Sequence, residues 1–173
     1  MIRSFNGKTP KIAKSVFISK TAYIIGDVEI GENCVVMPGA VIRADLGKIT
    51  IGNNTVVEDN CVIHSGSLDW FVDVVIGNNV IIGHGAVSNC RKIGNNVLIG
   101  MNATILHNAE VGDFCIIAAG SLVGQGAKVP DKSFVTGIPG KVKKEVSKQQ
   151  LLWTQLGSQA YVELAKQYKK EGL

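Results

Sequence analysis

Two of the three histidines in this chain, His64 and His84, fall in a stretch that also carries Arg43, Asp45, Glu58 and Asp59. Imidazole nitrogens beside carboxylate oxygens are the ingredients of two chemistries: holding a divalent metal, and moving protons near neutral pH. A third reading is a network of surface ion pairs. The histidines are well separated in sequence, so they serve one site only if the fold stacks the segments that carry them.

The surrounding periodicity predicts such stacking. An aliphatic residue recurs every six positions at Ile93, Ile99, Ile105, Val111, Ile117, Val123, Val129 and Val135. The pattern extends back through Ile82, Ile76, Ile63, Val57, Ile51, Ile42, Val36, Ile30 and Ile24 to Ile18. A six-residue period marks a hexapeptide-repeat β-helix, in which three hexapeptides form one triangular coil. Extra residues interrupt it between Ile42 and Ile51 and between Ile63 and Ile76, and the step from Ser88 to Ile93 is one residue short. About six or seven coils, spaced by roughly 4.8 Å, give a prism roughly 30 Å long.

Assigning three walls in turn converts spacing into columns. Arg43, His64, Asn89 and Leu106 form one column on wall A; Asp59, His84 and Met101 form another on wall C. Both lie just past the inward-facing aliphatics, where side chains point out of the prism. Cys34, Cys61 and Cys115 occupy a slot otherwise filled by small residues such as Ala40, Ala86 and Ala103, and read as buried packing groups. Cys90 lies outside that slot, and no CxxC pair is present. Gly-Asn-Asn at 52–54, 77–79 and 94–96 supplies corner residues that tolerate left-handed backbone.

The repeat ends near Ile138-Pro-Gly140. Beyond it Val146, Leu152, Trp153, Leu156, Ala160, Leu164 and Tyr168 recur at helical spacing, with Ser147 to Gln150 in capping-box form. Gly157 falls inside that stretch as a site for a kink. The expected architecture is all-β: a hexapeptide-repeat helix over residues 1–140, then a helical tail over 141–173 that packs on it.

The 46% hydrophobic content suffices for one continuous core. A net charge of +4 is spread without a dense basic block, which argues against nucleic acid and membrane partners. The N-terminal residues show no secretory pattern, and no segment approaches a membrane span, so a cytoplasmic location is expected.

Ile42-Arg-Ala-Asp45, then Glu58-Asp-Asn-Cys-Val-Ile-His64, then Ile82-Gly-His84 resembles the γ-class carbonic anhydrases, as do Gly137-Ile-Pro-Gly140 and the Tyr161-Val-Glu-Leu-Ala-Lys tail. The resemblance covers nearly the whole chain and implies a left-handed β-helix in a homotrimer. It implies one divalent metal, zinc or else iron or cobalt, at each subunit interface, bound by three histidines. His64 and His84 match two of these ligands, and Asn89 stands where the third is expected. An amide oxygen is a poorer zinc ligand than imidazole, so metal affinity should fall. His107 and Cys90 are the nearest substitutes for the missing ligand.

The reaction so implied is hydration of CO2 to bicarbonate. Glu58 matches a residue that orients or deprotonates the attacking water. Arg43, Asp45 and Asp59 match residues that pair across the interface or hold bicarbonate, or else only stabilise the trimer. Tyr161 matches a tail tyrosine that approaches the pocket, with helix packing as the alternative. Trp70 and Phe71, in the insertion after His64, could line the entrance or pack on a neighbour. Two other functions stay open: an acyl-CoA-dependent acyltransferase using His84 or His107 as general base, and a non-catalytic assembly subunit.

Overall fold

The computed structural model describes residues 1–66 and 72–173, together with every side chain in them except those of Trp153 and Gln155. Trp70 and Phe71 therefore lie outside the described residues. The chain is a mostly parallel β-solenoid of about seven turns of the left-handed type, closed by a single C-terminal helix. Each turn contributes strands mostly two or three residues long. Two longer strands, Tyr23–Ile30 and Val41–Ile51, run from wall A round into wall B and join those walls into one sheet.

The registers reproduce the predicted columns. On wall A, Ile42 pairs with Ile63 and Arg43 with His64, then Ile63 pairs with Ser88 and Ser88 with Ile105. On wall C, Val57 pairs with Ile82 and Ile82 with Ile99. Inside the prism the repeated aliphatics stack as one core in which Ile24, Ile42, Ile63, Ile82 and Ile117 are completely inaccessible. Complete burial of such a side chain contributes about 1.5–3 kcal/mol. All four cysteines are buried, including Cys90.

Corner chemistry supplies the second stacking force. Asn33, Asn54, Asn79 and Asn96 adopt positive φ, a conformation in which asparagine is one of the few comfortable side chains. The residue before each forms a ladder along the prism: the Asn53 amide oxygen accepts from the Glu32 N–H, Asn78 from Asn53, Asn95 from Asn78, and Asp113 from Asn95, at 2.7–2.9 Å. Each coil thus holds the start of its predecessor's turn, which fixes the coil-to-coil register on which the site depends.

The tail differs from its expected form in two ways. It begins with a strand, Lys141–Glu145, paired antiparallel to Ser133–Thr136 after the Gly137–Gly140 reversal. This strand covers the exposed edge of wall C, and its lysines discourage further pairing. The helix, α1 (Lys148–Lys170), begins with the predicted capping box: the Gln150 N–H donates to Ser147 Oγ and the Ser147 N–H to Gln150 Oε1. Its buried face, however, is not the leucine stripe. Leu152 and Leu156 are more than half exposed and Ala160 is exposed, whereas Thr154, Ser158 and Ala165 are buried.

The reason is close approach to wall C. A Cβ at Gly157 would lie 2.6 Å from Ile81 Cδ1, so only small side chains fit there. Gly157 sits inside an unbroken helix as a contact point, where the sequence suggested a kink. Further along, Tyr168 stacks on Phe17 with ring centroids 5.3 Å apart, and Tyr161 is carried to the wall C corner. No helix among the described residues is long and apolar enough to cross a membrane.

Candidate functional site

Stacking divides the eight singled-out residues into two clusters. On wall A, Arg43, His64 and Asn89 form the expected column, and Asp45 reaches back into it. His64 Nε2 lies 2.9 Å from Asp45 Oδ1, and the Asn89 amide nitrogen lies 3.1 Å from His64 Nδ1. Arg43 forms an ion pair with the other oxygen of Asp45. Burial alone would raise the Asp45 pKa, but hydrogen bonds from His64 and Arg43 outweigh it and hold the carboxyl below its usual range.

These contacts fix a tautomer. A carboxylate accepts only, so it requires the ring proton on Nε2; a neutral ring then keeps its lone pair on Nδ1, where Asn89 donates. The arrangement is a carboxylate-oriented histidine with its lone pair beside an amide.

The second cluster sits at the wall C corner. Glu58 is 5% exposed, and its Oε2 accepts from the His84 backbone N–H at 2.9 Å. His84 lies between two carboxylates, with Nε2 3.1 Å from Glu58 and Nδ1 2.8 Å from Asp59. The Tyr161 hydroxyl donates to Glu58. Burial, followed by that carboxylate, pushes the Tyr161 pKa well above the ordinary phenol range, so it remains a donor. A neutral imidazole has one N–H and cannot donate to both neighbours. The cluster is balanced when a cation or an additional proton lies between His84 and one carboxylate.

The two clusters do not meet within one chain. Among the described residues no three His, Cys, Asp or Glu side chains converge as a metal site. Each cluster carries its own donors: a lone pair and an amide on wall A, an imidazole flanked by carboxylates on wall C. Imidazole and carboxylate donors of this kind suit a divalent cation.

Among the described residues neither substitute ligand joins either cluster. Cys90 points into the core because strand alternation turns Asn89 outward, and burial pushes its thiol up to about 11. His107 is half-buried one position beyond Leu106, and no hydrogen bond among the described residues ties it to either cluster.

A groove of about 290 Å³ beside Asp59 escaped the sequence reading. Met37 lies one coil from Glu58 in the same column, since Val36 pairs with Val57, so register arithmetic extended toward the N-terminus would have found part of it.

Comparison with known proteins places the chain. Residues 9–44 and 92–125 match the family described as bacterial transferase hexapeptide (six repeats). Gamma carbonic anhydrase 2, mitochondrial, of Arabidopsis thaliana is 31% identical over 95% of this chain, which spans 60% of that protein's length. Carnitine operon protein CaiE of Escherichia coli is 32% identical over 93% of this chain and 81% of its own. A crystal structure of a hexapeptide transferase family protein from Anaplasma phagocytophilum superimposes with a TM-score of 0.91 at 33% identity, covering 96% of this chain and 97% of the other. With the repeat, the register and similarity over more than nine-tenths of this chain in agreement, the chain belongs to the hexapeptide-repeat family that includes proteins named gamma carbonic anhydrase and CaiE.

Proposed function

We propose that the protein is a γ-carbonic-anhydrase-like homotrimer. His64 and Asn89 of one subunit and His84 of the next would hold a divalent metal and hydrate CO2. The observation that carries this reading is the 3.1 Å contact of Asn89 with the lone-pair nitrogen of His64, on a different wall from His84 and its carboxylates. A metal in that place would supply Lewis-acid activation of water toward CO2. Asp45 holds the His64 ring in the ligating tautomer. Glu58 Oε2 accepts the proton that water releases, and the His84 N–H and the Tyr161 hydroxyl fix its position. Arg43 provides positive charge for the bicarbonate product, and Asp59 orients His84.

Elemental analysis of protein purified anaerobically without a tag or chelator, paired with a CO2 hydration assay, tests the proposal. It expects near-stoichiometric metal and hydration that His84→Ala removes together. Metal-free, inactive wild-type protein would refute it.

One observation favours a second reading. The 2.8 Å contact between Asp59 and His84 is the geometry of a carboxylate-oriented general base, the arrangement that acyl transfer from an acyl-CoA requires. CoA binding by metal-free trimer would support it, and a trimer that binds neither metal nor CoA would support a purely structural role.

A further inference from the structure

The groove beside Asp59 lies between wall C and the end of α1. Phe17, Met37, Pro38, Tyr168 and Leu173 give it a mostly apolar lining, and Asp59 stands on it. Phe17 and Met37 are themselves 5% and 7% exposed, so this is a formed surface with walls on two sides. The α1 end is held down at three points: Tyr168 stacks on Phe17, Lys20 Nζ donates to the Gly172 carbonyl at 3.2 Å, and Lys169 Nζ donates to the Ser15 carbonyl at 2.5 Å.

Charge is distributed unevenly along the groove. Lys20, Pro38 and Asp59 occupy one column on successive coils, because Ile18 pairs with Val36 and Val36 with Val57. Lys20 is therefore two coils, roughly 10 Å, from Asp59. At the Asp59 end the side chain is about one-third exposed, and among the described residues only its Oδ2 is engaged, by His84. Buried Glu58 adds a second carboxylate next to it. A carboxylate can accept about four hydrogen bonds, so Asp59 retains capacity facing the groove.

We propose that this groove binds a small amphipathic amine, with its aliphatic or aromatic body along Met37, Pro38, Tyr168 and Leu173 and its ammonium on Asp59. An anionic head group is disfavoured there by Asp59 and Glu58, and a molecule as small as CO2 leaves the apolar length unused. The volume, about 290 Å³, is at the lower end of small-molecule sites, matching a body of a few carbons rather than a cofactor. Neither a metal nor turnover is required, so the proposal stands or falls separately from CO2 hydration.

The test uses the full chain, stripped of metal, and ligand-observed NMR titration at fixed ionic strength. Probes are propylamine, butylamine, pentylamine and hexylamine, with 1-hexanol and hexanoate as controls. Affinity for the amines should rise about fourfold per added methylene until the groove is full. Hexylamine should bind at least about tenfold more tightly than hexanol or hexanoate, as a charge-assisted hydrogen bond requires. Asp59→Asn should remove the advantage over hexanol, and Met37→Trp, which fills the groove, should weaken both. Amine binding that ignores chain length, hexanoate binding equal to hexylamine, or undiminished binding to folded Met37→Trp would overturn the proposal. The wild-type series alone is decisive if either variant fails to fold.

Discussion

Asn89 is the residue on which the chemistry turns. Where the proposed function would look for a third imidazole, it carries an amide that donates to His64. Turning the amide over would present its oxygen to the same space, a weaker ligand for zinc. Asn89→His should therefore raise zinc affinity by about 10–100-fold, measured by competition with a chromophoric chelator; an unchanged affinity would remove Asn89 from the ligand set. Tyr161→Phe deletes a donor to buried Glu58 and should cost about 1–3 kcal/mol in urea denaturation. At this scale the columns were legible in sequence because a six-residue period leaves no freedom in register. The burial of Glu58 was not, since it depends on a helix that arrives from the far end of the chain.

At the scale of elements, the prism could be read and the docking of α1 could not. Hydrophobic spacing singles out Leu152 and Leu156, yet these face away from wall C. Steric clearance decides the orientation: Thr154, Ser158 and Ala165 share a face at helical spacing, and that small-residue face approaches the wall closely beside Gly157. Two substitutions separate the readings. Leu156→Ser should change stability by no more than about 0.5 kcal/mol, whereas Ala165→Leu should destabilise by about 1–3 kcal/mol through overpacking. Reversed outcomes in thermal or urea unfolding would mean that α1 docks by its leucines.

The whole molecule is a stack whose interior carries buried thiols, and this gives it a predictable alkaline limit. Burial pushes Cys34, Cys61 and Cys90 up to about 11 from an ordinary 9.0. A raised thiol pKa means that the folded state holds protons the unfolded state has released, so stability is full below about pH 9 and falls as pH rises toward 11. Urea midpoints measured across that range should decline less steeply in a Cys→Ala triple variant than in wild type; parallel declines would contradict the burial argument. The same stacking explains why the candidate site was only half legible. Register assigns each residue to a wall, but walls A and C of one chain do not bring their clusters together, and the proposed function requires a second copy to complete the site. Subunit mixing tests that claim most directly. His64→Ala and His84→Ala homotrimers should each lack metal, and co-refolding them in equal amounts should restore about a quarter of the wild-type metal content, because random assembly leaves that fraction of interfaces intact. No metal recovered on mixing, with wild-type protein loaded in parallel, would contradict a site shared between subunits.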